Sequence, residues 1–413
     1  AAEDRLGKID RAVITVPTQS SELQRAATVE AGLRAGLKHV DIINEPVAAT
    51  LCAVLGTEGL WFAELADAQR IMVFDLGGGT FDLSLVNYAK NEVRVIAGDG
   101  DMNLGGYDWN EVLLKAVCDQ FTREVGEDPR TDPESLQFVA LEVEDAKRSL
   151  SVRERTPLVC HHAGRRKIYR ISREQFEKLS RHLVERAKHI TERMLKTTEM
   201  GWAHVDMVMM VGGATRMPMI RRMMRDLSGR TINTSLSPDQ SIAHGAAYYA
   251  GMLLSNADLG GLALSHEATE RLAKVRQQSI NSRSLGILIR DLDKNARIPY
   301  YLVKANTPLP TEATQMFGTV IQNQRRVRIH VIESGATPDQ PFVELGVCMI
   351  DDLPAGLPVG SRIEVTFRYD EQARVHVQAR HVASGQVAEL EIVRPQALAT
   401  TTATTETDRE ASL

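Results

Sequence analysis

The chain has 413 residues, of which 43% are hydrophobic and 25% charged, and its formal net charge is −5. A chain of this length is predicted to fold into two or three globular domains. The acidic balance argues against a general nucleic-acid binder, which carries a basic excess, so no nucleic-acid partner is expected. No apolar run approaches the roughly 20 residues that a membrane helix needs, so no membrane partner is expected either.

The four cysteines are widely spaced and form no CxxC pair. Such sparse usage is typical of a reducing compartment, so we predict a cytoplasmic protein without a disulfide framework. The run Cys160-His161-His162 has the side chains of a metal site, but no second ligand pair follows at a zinc-like spacing. We therefore interpret it as structural or surface sequence.

The first two thirds of the chain mix strand and helix patterns. A β-branched run over 12–16 ends at Pro17 and predicts a strand, and Ser20 and Ser21 offer caps for a helix reaching about Gly36. The other predicted strands are 39–43, 71–74, 81–86, 93–97 and 205–211, the middle three forming an antiparallel meander. The other predicted helices follow Pro46, cover 108–121, 134–151 and 173–198, and begin near Met217 and after Asp239.

The last third changes to short strands separated by turn residues, which is typical of a β-sandwich. These strands are predicted at 284–289, 299–304, 315–322, 326–332, 342–349, 361–368 and 373–380. The domain prediction is a nucleotide-binding domain over 1–254, a linker over 255–283, a sandwich over 284–395 and a disordered tail over 396–413. The tail is threonine-rich and of low complexity.

A glycine-rich turn joins two of the predicted strands. An apolar strand delivers Asp75 to its end, and Gly77, Gly78 and Gly79 then turn the chain back past Thr80. Glycine permits positive φ and close approach to a polyanion, and the exposed N–H groups can form a phosphate concavity. Asp75 can hold Mg²⁺ through its water shell. The alternative is a plain glycine-rich hairpin, which would need no acidic residue on either side of the glycines.

Two further patterns favour phosphate and nucleoside binding. A second strand runs into Gly212-Gly213 at a helix start, where anions bind readily, and Arg216 can stack on a purine. One helix face carries Glu144, Lys147, Arg148 and Ser151 at i, i+3, i+4 and i+7. Taken alone, a polar helix face of this kind is more typical of a solvated surface.

These motifs together resemble the seventy-kilodalton heat-shock (DnaK-type) chaperone family, in family order and at family spacing over residues 11 to about 392. The segments that carry the resemblance in the first part are AVITVP (12–17), IINEPVAAT (42–50), FDLGGGTFD (74–82), GDGDMNLGGYDW (98–109), EDAKRSLS (144–151), MVGGATRMP (210–218) and SPDQSIAHGAA (237–247). It continues through SLGILI (284–289), LVKANTPLPT (302–311), NQRRVRIHVIESG (323–335) and IEVTFRYD (363–370).

The resemblance implies an α/β actin-like (ribonuclease H-like) ATPase domain, N-terminally incomplete here, followed by an all-β sandwich that binds peptides. It implies an ATP hydrolase that uses ATP, ADP and Mg²⁺. Nucleotide state would control the binding of unfolded or extended apolar peptides. J-domain and nucleotide-exchange co-chaperones would be its partners.

The resemblance also assigns roles to matching residues. The implied catalytic residues are Asp75, Thr80 and Glu45, with Asp75 organising Mg²⁺ and the attacking water. The implied nucleotide-binding residues are Gly77, Gly78, Gly79, Thr80, Glu144, Lys147, Arg148, Ser151, Gly212, Gly213, Arg216 and Asp239. Pro17 and Arg25 would relay nucleotide state, and Ile287, Phe317, Val327 and Ile329 would line the peptide groove.

The sequence also departs from the family pattern. The family's ATPase domain begins with another phosphate turn and carries a catalytic lysine, and neither lies in this sequence, so we expect weak ATP binding and poor hydrolysis. Ala214 replaces a hydroxyl residue, the segment 257–264 is less apolar than the family linker, and Arg290 stands where an apolar residue is usual. No helical lid follows residue 395, so we expect fast, loose peptide capture.

Two alternatives to an ATP-dependent chaperone remain at this point. One is a degenerate module that binds peptides or a partner without hydrolysing ATP, which Ala214 and the altered linker favour. The other is a relative of the sugar kinases, which share the ATPase fold but have no reason to carry the β-sandwich.

Overall fold

The computed structural model describes residues 7–55, 68–89, 92–230, 232–233, 237–256, 276–291, 296–337, 340–370 and 375–391. They form two compact units, each assembled from separate stretches of the chain. The first unit holds the described residues of 1–47, 91–96 and 249–413, and the second those of 48–90 and 97–248. The predicted domain boundaries stay a prediction. The linker segment 257–264 and the tail 396–413 lie outside the described residues.

Most predicted helices are confirmed. The α-helices of the described residues are α1 (Glu22–Arg34), α2 (Glu45–Leu55), α3 (Gly106–Val125), α4 (Pro133–Val152), α5 (Arg173–Leu179), α6 (Arg181–Thr197), α7 (Pro218–Ser228) and α8 (Ser241–Asn256). The prediction of one helix over 173–198 was wrong, because the chain breaks at Ser180. The buried Ser180 hydroxyl donates to the carbonyl of Phe176 at 2.8 Å, the kind of local bond by which serine competes with helical pairing.

The strands of the described residues are β1 (Arg11–Val16), β2 (His39–Asn44), β3 (Ala68–Leu76), β4 (Phe81–Ala89), β5 (Glu92–Asp101), β6 (Arg155–His162), β7 (Arg165–Ser172), β8 (Met207–Val211), β9 (Ile232–Asn233), β10 (Arg276–Gln278), β11 (Leu285–Asp291), β12 (Ala296–Val303), β13 (Thr311–Gly318), β14 (Val327–Thr337), β15 (Gln340–Ile350), β16 (Arg362–Tyr369), β17 (Val375–His381) and β18 (Val387–Glu391). Every strand predicted from the sequence has a counterpart among them. The strands that the sequence did not predict are β6, β7, β9, β10 and β18.

The sheet of the second unit has the order β5-β4-β3-β8-β9. Strand β3 pairs antiparallel with β4 and parallel with β8, and it is buried along Ile71 to Leu76. Because β3 and β8 are parallel neighbours, their carboxyl ends and the glycine turns that follow lie at one edge of the sheet. This pairing positions the candidate site.

The hairpin of β6 and β7 turns through Ala163 and Gly164, both with positive φ. Burial alternates along β6, where the side chains of Thr156, Leu158 and Cys160 are buried. That two-residue period is the strand signal. Cys160 therefore packs as a core residue.

In the first unit β1 and β2 pair in parallel, and β10 pairs with the start of β5. Two four-stranded antiparallel sheets, β12-β11-β14-β15 and β13-β16-β17-β18, share one hydrophobic core. Residues from both sheets meet in it, including Ile287, Val331, Phe367 and Val377. Within the described residues no helix is long and apolar enough to span a membrane.

Candidate functional site

The first glycine turn closes between β3 and β4. The Gly77 N–H donates to the Thr80 carbonyl at 3.0 Å, and the buried Asp75 lies opposite Asp82 in the strand register. The prediction that glycine serves here through positive φ was wrong, because no φ in Gly77 to Gly79 lies in that region. The property that glycine provides is space: a Cβ on Gly79 would meet nothing within 4 Å.

The start of α3 packs against this turn. The N–H groups of Gly106 and Tyr107 donate to the carbonyls of Gly77 and Gly78, at 2.9 and 2.8 Å. A Cβ on Gly105 would lie 2.5 Å from the Gly78 carbonyl oxygen, so only glycine allows this approach. The contact satisfies two N–H groups that a helix start leaves unpaired, and it fixes the turn.

The second glycine turn follows β8. Gly212 has a φ of +83°, and a Cβ there would collide with the Leu76 carbonyl and lie 2.5 Å from Asp75 Oδ1. The turn continues as a 3₁₀ segment over Gly213–Arg216, closed by a 2.6 Å bond from the Thr215 hydroxyl to the Gly212 carbonyl. Gly212 is therefore required for the two strand ends to meet.

The predicted polar face of α4 forms a hydrogen-bonded group around Glu144. Its carboxylate lies 2.9 Å from Lys147 Nζ and 2.8 Å from Arg148 Nε, and accepts a 2.7 Å bond from the Asn110 amide. Burial alone would raise the pKa of Glu144, but these bonds and the Lys147 charge outweigh it and lower the pKa to about 2. Lys147, itself buried, also donates to the Gly106 carbonyl at 2.9 Å, so α4 is tied to the start of α3.

One cavity of about 880 Å³ in the second unit brings these parts together. The predicted nucleotide-binding residues that line it are Gly77, Gly78, Glu144, Lys147, Arg148, Ser151, Gly213, Arg216 and Asp239. Asp75, Gly79, Thr80 and Gly212 are not lining residues but belong to the two turns that border it. The roles predicted for all of these residues stay predictions.

The cavity is also lined by residues that the sequence reasoning did not single out. Gly106, Tyr107 and Asn110 enter from α3, and Leu141 adds apolar surface. Ala214, which the sequence marked only as a departure from the family, lines the cavity as well. The available signal was the Gly105-Gly106 pair directly before a helical period, which we used only as part of a family segment. Arg216 approaches from the second turn and pairs with Asp239 at 2.5 Å.

Other predicted residues lie in the first unit. Glu45 begins α2, and burial raises the pKa of its carboxyl to about 7. Pro17 directly follows β1, and Arg25 is buried in α1, where its guanidinium donates to the carbonyls of Ser20 and Thr18, each at 3.3 Å. The predicted catalytic role of Glu45 and the relay role of Pro17 and Arg25 stay predictions.

The four predicted groove residues divide into two environments. Ile287, Val327 and Ile329 are each 0% exposed and belong to the core shared by the two sheets. Phe317 is half-buried and packs edge-on against Tyr300, with ring centroids 5.6 Å apart. In this structure the three aliphatic side chains contribute to core packing, and the groove assignment stays a prediction.

Among the residues that the structure describes, no group of three or more His, Cys, Asp or Glu side chains lies close enough together to hold a metal ion. The four cysteines are free and buried.

Comparison with known proteins identifies the family. The family model described as Hsp70 protein matches residues 1–411. Two curated relatives are both named chaperone protein DnaK and come from two strains of Thermus thermophilus. Each is 32% identical to this chain over 403 residues. The alignment covers 95% of this chain but only 60% of each relative's length. The extent of the family match shows that this chain belongs to the Hsp70 family.

Proposed function

We propose that the second unit binds ATP, within an α/β ATPase domain of the actin-like kind. The observation that carries this proposal is the single cavity on which both glycine turns and the polar face of α4 converge. These three features come from segments far apart in the chain. The two glycine turns each favour a phosphate contact by themselves, whereas the α4 face gains its meaning from lying beside them. Their convergence on one volume large enough for a nucleotide supports a common ligand.

The phosphate end fits the first glycine turn. The open space beside Gly79 would be filled by any side chain, and the buried Lys147 supplies a positive charge near the same turn. Asp75, near the end of β3, is proposed on the family resemblance to hold Mg²⁺ through water, and Thr80 to donate a hydroxyl. Glu45 is proposed as a supporting catalytic residue on the family resemblance alone. Bound Mg²⁺ would neutralise phosphate charge.

The adenosine end fits the other side of the cavity. The Arg148 side chain is 74% exposed and the Arg216 side chain about half-exposed, so both planar guanidinium groups are available to stack on a purine. Glu144 is ionised at neutral pH, and its lowered pKa of about 2 reflects the bonds through which it holds Lys147 and Arg148 in place.

We further propose that this ATPase controls a peptide-binding β-sandwich formed by the two sheets of the first unit. Support comes from family membership and from the shared core of those sheets. Because the relatives are named chaperones, we propose peptide capture and co-chaperone binding for this protein. The present chain spans about 60% of the relatives' length. A cytoplasmic location is part of the same proposal.

A second candidate is a binding module that does not hydrolyse ATP. The methyl group of Ala214 lines the cavity and offers no hydrogen bond, which favours weaker nucleotide contacts than a hydroxyl would give. This candidate predicts nucleotide binding without turnover, or peptide binding alone.

Calorimetric titration with Mg-ATP tests the proposal. Wild-type protein should bind, and Lys147→Met should lower the affinity at least about tenfold because a buried cation near the phosphates is lost. Lys115→Met is the matched control, since Lys115 lies exposed on α3 and pairs with Asp119. No ATP binding by the wild type would refute the ATP proposal. Binding without product in a single-turnover assay would favour the second candidate.

A further inference from the structure

The start of α1 is packed into the first unit through charged side chains. Glu22 and Arg25 are only 6% and 5% exposed. The hydroxyl of Tyr369, from β16, donates to Glu22 Oε1, and Arg25 Nε lies 3.8 Å from the same oxygen. The buried Glu22 carboxyl is therefore hydrogen-bonded to a residue 347 positions away in sequence.

A second carboxyl enters the same space from β14. Glu333 is 2% exposed, and its Oε2 has no hydrogen-bond partner among the described residues. The backbone N–H of Glu22 donates a hydrogen bond to this carboxyl, and both that bond and the positive charge of Arg283 favour its ionised form. Arg283 is held by the carbonyls of Ser334 and Gln19, at 3.4 and 3.3 Å. Two buried glutamates thus face each other between α1 and β14.

The ionisable groups around this pair come from α1, β14, β16 and the residues beside them. The groups that face it are Glu22, Glu333, Asp370, Arg25, Arg283 and Tyr369. Arg25 and Arg283 are the two guanidinium groups among them, and burial is the largest influence on both glutamates. Burial, followed by the nearby Glu22 charge, raises the pKa of Glu333 to about 7, and burial also raises the pKa of Glu22.

We propose that Glu22 and Glu333 form a carboxyl latch, which holds the start of α1 against β14 and β16 while the pair retains a proton and loosens when both carboxyls are ionised. The closed contact binds more protons than the open one, because burial disfavours the carboxylate form. The latch is therefore strongest below the ordinary glutamate pKa of 4.5. It weakens as pH rises toward about 7 and changes little above that value. This inference does not depend on nucleotide binding.

Amide hydrogen exchange of the full chain without nucleotide tests the latch. Opening constants for peptides covering 18–34 and 327–337 would be measured from pH 5 to 8, after correction for the intrinsic exchange rate at each pH. For wild type we expect the opening constant to rise on the order of 10²-fold across this range. Peptides from β6 and β7 in the second unit serve as an internal reference and should show no such rise.

Three variants assign the effect to the carboxyls. Glu333→Gln keeps the size and neutrality of the protonated side chain, so the variant should fold, and its opening constant should rise less steeply with pH. The double variant Glu22→Gln with Glu333→Gln should have an opening constant that does not change with pH. Glu312→Gln, at a half-exposed glutamate on β13, is the matched control and should keep the wild-type slope. Near-ultraviolet circular dichroism verifies folding. A wild-type opening constant that does not change with pH, or an unchanged slope in Glu333→Gln, would overturn the latch.

Discussion

The two glycine turns at the cavity use the same residue type for different physical reasons. Gly212 has a positive φ and lies where a Cβ would collide with the backbone of Leu76, so glycine is needed for the fold. Gly79 has no such φ and faces open space, so its missing side chain serves no packing need in the protein. The fold therefore requires glycine at Gly212 and not at Gly79, where the proposed phosphate contact is the role left to test.

Gly212→Ala should produce the largest effect. The methyl group would overlap the Leu76 carbonyl and crowd Asp75, so we expect the free energy of unfolding to fall by about 3–5 kcal/mol. Gly213→Ala is the neighbouring control, because its Cβ would meet only the movable Asp239 side chain, at 3.1 Å. Urea unfolding of both variants measures the difference. Equal losses would show that the two strand ends can separate and that Gly212 is not required.

Gly79→Ala should separate binding from stability. Because nothing lies within 4 Å of the new methyl group, the free energy of unfolding should change by less than about 0.5 kcal/mol. The affinity for Mg-ATP should fall at least about tenfold, since the methyl group occupies the space assigned to phosphate. Gly201→Ala, with equal space but away from the cavity, is the control for titration calorimetry. Unchanged affinity in Gly79→Ala would place the phosphates elsewhere.

The same comparison shows what the sequence could predict. Strand periodicity and the flanking Asp75 predicted the first turn and made it a candidate site, because these are local patterns. They did not reveal which glycine needs positive φ, because that depends on how β3 meets β8. The packing of α3 on the turn through Gly105 was also missed, since two strands and a helix separated in sequence must meet before that glycine becomes necessary.

Long-range pairs are the other part that the sequence did not predict. The α1 helix was predicted from Ser21 and its apolar spacing, and its capping box is present. Nothing local indicates that Glu22 meets Tyr369 and Glu333, because buried carboxyls are recognised only once their neighbours are known. Seven of the eight strands in the two four-stranded sheets were predicted, all but β18, because a short strand run between turn residues is a local signal that each segment carries itself.

Glu144→Gln should have an intermediate effect that depends on pH. The pKa of Glu144 is lowered to about 2, so its stabilising contribution is present above the ordinary value and is lost as pH falls through about 2. At pH 7 we expect the variant to lose about 1–2 kcal/mol of unfolding free energy, after discounting for solvent screening. Glu154→Gln, at an exposed position, is the control.

Thermal unfolding of these two variants from pH 2 to 7 provides the measurement. The deficit of Glu144→Gln should shrink toward the acid end, where wild-type Glu144 is protonated too. A deficit that stays constant with pH would show that the amide disturbs packing rather than removing a charge. The tie between α4 and the start of α3 through Lys147 would then be mainly steric.

Arg216→Ala should have the smallest effect when stability and affinity are taken together, and it tests what holds the second turn. The Arg216–Asp239 pair is about half-exposed on both sides, so its loss should cost at most about 0.5 kcal/mol of unfolding free energy, less in high salt. Mg-ATP affinity should still fall about two- to fivefold if the guanidinium stacks on the purine. Asp239→Asn is the partner control, because it weakens the pair but keeps the stacking group. If Arg216→Ala instead costs more than about 1 kcal/mol, the turn is held by this side-chain pair, and the backbone geometry of Gly212 is not sufficient to hold it.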